Sequence, residues 1–199
     1  MKLKVCGMRD DENIRQLMEL KPDFMGMIFY PKSARYVTEV PQVASSVERV
    51  GVFVNEETEE IIRKAEEFGF KYIQLHGKEP VEQVKELKEM GFTIIKVFSV
   101  DTKMPLEEMK SYYDYSDYFL FDTRTPQYGG SGVKFDWSIL QSYDLDKPFF
   151  LSGGIDLDDI VEIKRLNLPK LYAVDINSRF EISPAMKDIK KIKAFKELL

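Results

Sequence analysis

The stretch RVGVFVNEETEEIIRKAEEFGFKYIQLH (residues 49–76) decides the fold. Its two ends, RVGVFV and KYIQLH, are short runs rich in β-branched and aromatic residues, each of strand length. Between them the chain starts acidic, sets Ile61, Ile62, Ala65 and Phe68 on one helical stripe, and stops at Gly69. A strand, a helix and a second strand in succession make a βαβ unit, which lays its two strands parallel.

The same unit recurs on both sides. KLKVC (2–6), FMGMIF (24–29), FTIIKVF (92–98), DYFLFD (117–122), KPFFLS (147–152) and LYAVDI (171–176) bring the strand candidates to eight. Helical patterns fill most gaps: EPVEQVKELKEMG (79–91) groups Val81, Val84 and Leu87 and ends at Gly91, and DLDDIVEIKRL (156–166) and KDIKKIKAFKELL (187–199) continue the series. The fifth unit is the weakest, because MPLEEMKSYYDYSD (104–117) gives only a short, irregular helical signal. Eight units at intervals of roughly 20–30 residues predict an α/β fold, a (β/α)8 TIM barrel with parallel strands. The alternative is an open doubly wound sheet, but the even run of units to the C-terminus favours closure. No low-complexity linker divides the chain, so residues 1–199 are expected to form one barrel domain.

Composition narrows the function. Lys and Arg number 29 against 34 Asp and Glu, a net charge of −5 that gives no reason to expect binding to nucleic acid or an anionic membrane. One cysteine cannot form an internal disulfide, and strand-like residues start almost at Met1, so a cytoplasmic protein without a leader is expected. With one His and one Cys, a Cys/His metal cluster is not expected.

A barrel of this kind carries its chemistry at the C-terminal ends of the strands. Alternation along KLKVC turns Leu3 and Val5 outward and Lys2, Lys4 and Cys6 toward the axis. Cys6 therefore stands at the rim with Lys4 beneath it, a cation able to lower a thiol pKa. A buried thiol that merely fills space is the equal alternative. In the sixth strand, Asp122 shares the inward face with Tyr118 and Leu120 and precedes a glycine-rich loop, TRTPQYGGSGVK (123–134). It is either a turn cap or an acid facing the thiol. His76 ends the fourth strand as a secondary candidate for orienting a substrate. Gly153 and Gly154 follow the seventh strand, and Asn177 and Ser178 follow the eighth where a short helix can begin, the frequent phosphate position in this fold. Arg35, in FYPKSARYV after the second strand, suits bidentate capture of a carboxylate.

KVCGMRD, GMIFYPKSARYV, VGVFVN, QLHG, FDT, GGSGVKFDW, LSGGI and SPAMKD, in that order, resemble the phosphoribosylanthranilate isomerase family of tryptophan biosynthesis nearly end to end. The resemblance implies an Amadori rearrangement of N-(5-phosphoribosyl)anthranilate to 1-(2-carboxyphenylamino)-1-deoxyribulose 5-phosphate, with no metal or organic cofactor. It implies Cys6 as general base, Asp122 as general acid, Arg35 on the anthranilate carboxylate and Gly153 and Gly154 on the phosphate. The expected partner is a phosphorylated small molecule, and the expected state a monomer or homodimer. Two positions depart from the family pattern: Asn177-Ser178-Arg179 replaces the frequent S-S-G, and Pro184-Ala185 replaces a P-G. A phosphate-ligand-binding barrel without turnover, or a related sugar-phosphate isomerase, is the alternative.

Overall fold

Eight parallel strands close into a barrel in chain order. They are β1 (Lys2–Val5), β2 (Phe24–Ile28), β3 (Glu48–Phe53), β4 (Tyr72–Leu75), β5 (Thr93–Val100), β6 (Tyr118–Thr123), β7 (Phe149–Leu151) and β8 (Leu171–Ile176). The structure, a computed structural model, describes residues 1–43, 47–123 and 134–199. All eight expected strands are present, and β8 returns to pair with β1, setting Lys4 opposite Asp175. Closure removes the exposed edges that an open sheet would keep.

Outside the barrel lie α1 (Asp11–Glu19), α2 (Thr58–Phe68), α3 (Val81–Glu89), α4 (Leu106–Ser111), α5 (Ile160–Arg165) and α6 (Ile189–Leu198). Asp10 starts α1 by accepting the Asn13 N–H, and Asp188 starts α6 by accepting that of Lys191. Gly69 ends α2 in the left-handed conformation, with φ of 66°. The α2 stripe buries Ile61, Ala65 and Phe68 as expected, but its fourth member is Lys64, whose ammonium lies 5.1 Å from the Phe68 ring. Ile62 is only half-buried. Two units are irregular. A 3-10 turn at Trp137–Ser142 precedes β7, and no helix joins β2 to β3 among the described residues. The loop predicted after Asp122 lies outside the described residues from 124 to 133.

Alternation sorts the two cores. Leu3, Val5, Phe119 and Phe121 pack under the helices, whereas Phe24, Val50, Ile95, Leu120 and Phe150 fill the barrel. At the N-terminal end of the strands Phe24 meets Tyr72 and Phe150 edge-on at 5.4 Å each, and Tyr118 meets Tyr172 at 4.7 Å. Lys2 lies 5.0 Å from the Tyr172 ring and 5.4 Å from that of Phe24. Aromatic pairs each add about 0.5–1.5 kcal/mol beyond their burial, so this layer makes a firm floor.

A buried ion pair holds the turn after β4. Lys96, 2% exposed, donates to Glu79 Oε2 at 2.8 Å and to the Gly77 carbonyl at 2.8 Å. The other oxygen of Glu79 accepts the N–H groups of Asn55 (3.0 Å) and Gly77 (2.8 Å). One carboxylate thus ties three donors from three separate segments together.

Candidate active site

A pocket open to solvent, about 760 Å³ counting the solvent space at its mouth, lies at the C-terminal ends of the strands. Its lining includes every candidate named from the sequence: Cys6, Arg35, His76, Asp122, Gly153, Gly154, Asn177 and Ser178.

Cys6 follows β1, its backbone N–H bonded to the Ile176 carbonyl at 2.9 Å. Gly26 on β2 makes room for it, since a Cβ there would stand 2.7 Å from Sγ and 3.0 Å from the Cys6 Cα. Beneath the thiol, Lys4 is fully buried and donates to Asp175 Oδ2 at 2.8 Å. Burial works against the Lys4 charge, but Asp175 and then Cys6 outweigh it, so the ammonium is held above its ordinary pKa. Burial likewise pushes the Cys6 thiol up, while Lys4 and, more weakly, Lys187 pull it down. The net shift is upward. Lys4 does favour the thiolate, as expected, yet it is shared with Asp175 and does not overcome burial.

Asp122 stands at the end of β6, buried. Its Oδ1 accepts the N–H of Thr123, the last residue of β6, at 2.8 Å; the turn it would cap lies outside the described residues. The other oxygen, Oδ2, lies 3.1 Å from His76 Nε2. Gln74 Nε2 is 3.1 Å from Nδ1 of the same ring, and with that amide nitrogen donating, the Nε2–H points at Asp122. His76 thus lies beside Asp122 as well as lining the pocket.

Gly153 turns with φ of 93° and Gly154 with φ of 66°. A Cβ on Gly153 would meet Thr123 Oγ1 at 2.4 Å, so only glycine brings this backbone to the pocket wall. Across the pocket, Asn177 precedes a three-residue 3-10 turn, Ser178–Phe180, rather than a longer helix. Its Oδ1 accepts from Lys187 Nζ at 2.7 Å. Arg35 points into the pocket and already holds a carboxylate: Nε and Nη2 donate to Glu181 at 2.9 and 2.7 Å.

Asp175, Glu181 and Lys187 escaped the sequence reading. Asp175 was within reach, because alternation along LYAVDI turns it inward with Ala173. Its Oδ1 is buried and has no hydrogen-bond partner among the described residues. Burial pushes its carboxyl up, against the pull of Lys4. Glu181 and Lys187 sit on a hairpin of β9 (Glu181–Ser183) and β10 (Met186–Lys187) that no local pattern announces. Among the described residues, no group of three or more His, Cys, Asp or Glu could hold a metal ion, and no helix is long and apolar enough to cross a membrane.

Residues 3–197 match the family model described as N-(5'phosphoribosyl)anthranilate (PRA) isomerase. An N-(5'-phosphoribosyl)anthranilate isomerase of Phocaeicola vulgatus is 45% identical over 196 residues, covering 98% of this chain and 96% of that protein. Among solved structures, the phosphoribosyl anthranilate isomerase of Thermotoga maritima superposes with a TM-score of 0.83 at 34% identity, covering 100% of this chain and 98% of that one. A phosphoribosyl anthranilate isomerase bound to reduced 1-(o-carboxyphenylamino)-1-deoxyribulose 5-phosphate superposes with a TM-score of 0.79 at 32% identity, covering 99% and 97%.

Proposed function

The chain belongs to the N-(5'-phosphoribosyl)anthranilate isomerase family, and on that premise we propose that Cys6 and Asp122 carry out its isomerisation as general base and general acid. The enzyme is an isomerase of tryptophan biosynthesis acting on a phosphorylated small molecule. The observation that supports these roles most directly is that the thiol and the carboxyl line one pocket at the strand ends. Asp122, protonated and beside His76, gives its proton to the ribose ring oxygen as the bond from that oxygen to C1 breaks, leaving an iminium. Cys6, as thiolate, then removes the C2 proton, and the electron pair moves into an enolamine that tautomerises to the ketone. No atom is gained or lost, and no electron acceptor is required. Burial opposes the thiolate this step needs, and Lys4 and Lys187 favour it.

The remaining candidates bind. The backbone at Gly153 and Gly154, with Asn177 and Ser178 opposite, forms the phosphate seat, and Arg35 faces the carboxylate of the aryl ring. All these groups come from one chain, which suits a monomer and a homodimer alike. A cytoplasmic setting belongs to the same reading, because the base must stay a reduced thiol. Residues 1–199 act as one domain in this scheme.

The direct test is loss of phosphoribosylanthranilate fluorescence on incubation with the purified protein. Loss of fluorescence with formation of the ketose product is expected; binding without turnover would favour the ligand-binding alternative. Two subsidiary results are expected. Alkylation of Cys6, followed against pH, has its midpoint above the ordinary thiol value of about 8.5, and Lys4→Met moves it higher still. The rising limb of the kcat/KM profile follows the same group, because the base works only when deprotonated. A midpoint below 8, or no shift in the variant, would refute the balance of burial against Lys4. Gly26→Ala puts a methyl group against Sγ; a displacement near 1 Å costs roughly 100-fold in kcat. Unchanged steady-state kinetics would show that the thiol has room to move.

A further inference from the structure

The hairpin from Glu181 to Lys187 is built into the pocket wall, yet neither proton-transfer step uses it. A guanidinium carries five N–H groups in one plane, with two edges that fit a carboxylate. Glu181 occupies one edge of Arg35, taking Nε–H (2.9 Å to Oε1) and Nη2–H (2.7 Å to Oε2). The Nη1 edge makes no hydrogen bond to a described residue, and Arg35 lines the pocket. Glu181 is in turn held by Lys187 Nζ at 2.5 Å and by the Ala185 N–H at 3.1 Å. Ala185 keeps a left-handed φ of 68°, unusual for a residue with a Cβ. Buried Asn13 on α1 fixes the hairpin by bonding both backbone groups of Lys187, at 3.0 and 2.7 Å. Two cationic side chains therefore converge on a single carboxylate, with Arg35 keeping one edge for another.

From this juxtaposition we propose that Glu181 is a positioning residue that fixes the plane of Arg35 so that its second edge selects substrates whose aryl group bears a carboxylate. The inference rests on the isomerase reading and deepens it, from which sugar rearranges to which amine the site accepts. Without Glu181 the long Arg35 side chain samples many rotamers, and the carboxylate of the substrate has to order it on binding. Arg35 discriminates by contact; Glu181 discriminates only through Arg35.

The test compares kcat/KM for N-(5-phosphoribosyl)anthranilate and for its decarboxy analogue, N-(5-phosphoribosyl)aniline, in the parent, Glu181→Gln, Arg35→Met and the double variant. Glu181→Gln is expected to lower the preference for the carboxylate substrate roughly 10-fold, the scale of one hydrogen bond to a charged group. The loss falls mainly on KM, with kcat within about 3-fold. Arg35→Met removes the preference, and adding Glu181→Gln to it changes the preference no further, because both act through one contact. Thermal unfolding of each variant checks that the fold is kept, and Glu181→Asp, which retains the charge, recovers part of the preference. Equal losses on both substrates, or losses that add in the double variant, would overturn the role of Glu181. Absence of turnover in the parent would instead overturn the isomerase reading itself.

Discussion

Asp122→Asn is expected to lower kcat by roughly 10²–10⁴-fold, the range that a positioned general acid contributes. Asparagine still presents an oxygen to the Thr123 N–H, but its amide NH2 then faces the His76 Nε2–H, so the substitution removes that hydrogen bond together with the acid proton. Asparagine has no carboxylic proton to give to the ring oxygen. Cys6→Ala removes the base and is expected to fall in the same range, while Cys6→Ser keeps the volume but offers a hydroxyl that is a far weaker acid than the thiol. Neither side chain is assigned to the phosphate or the carboxylate, so KM should move by no more than a few-fold. Near-parent turnover in either variant, with an unchanged thermal transition, would dismiss the pair as acid and base.

Glu79→Ala is expected to destabilise the protein by about 3–5 kcal/mol, the cost of leaving one member of a buried ion pair alone. Lys96 would keep its charge beneath the barrel wall with only the carbonyls of Leu75 and Gly77 as acceptors. The N–H groups of Asn55 and Gly77 would lose their shared acceptor at the same time. For a chain of this size each kcal/mol shifts Tm by roughly 2–4 °C, so a fall of at least about 6 °C should be seen. Lys96→Met in the same background should recover part of the loss, because it removes the stranded ammonium but cannot satisfy the two amides. Urea unfolding of the four proteins of this cycle measures the coupling, and additive effects would show that the pair does not act as a unit. The turn after His76 depends on this pair, so a local loosening there should also appear as faster amide exchange at residues 77–79.

Legibility in the sequence divides along a physical line. Local periodicity was enough for the eight strands, because a period-2 run of β-branched and aromatic residues reports its own geometry. It was enough, too, for Cys6 and Asp122, whose inward direction follows from counting along a single strand. His76, Arg35 and the two glycines were found by position relative to strand ends. What stayed hidden depends on pairs distant in the chain. Lys4 meets Asp175 across 171 residues, and Arg35 meets Glu181 across 146. These partners change the reading of residues already singled out: Lys4 serves two groups rather than one, and Arg35 is partly engaged by the protein itself. The irregular units were hidden for another reason. The 3-10 turn at Trp137–Ser142 and the β9–β10 hairpin have no repeating apolar pattern, so nothing in a short window distinguishes them from loop.

The seam between β1 and β8 has a consequence for how the molecule assembles. It joins the first strand of the barrel to its last, and the base of the pocket lies on it: Cys6 bonds the Ile176 carbonyl, and Lys4 bonds Asp175. Loop closure across almost the whole chain is the slowest kind of contact to form. Partly folded intermediates, even those with several strands paired, therefore hold a thiol without its ammonium–carboxylate support and a sheet with two open edges. Activity should emerge in a refolding experiment only with the final, slowest phase, after most of the helical signal has returned.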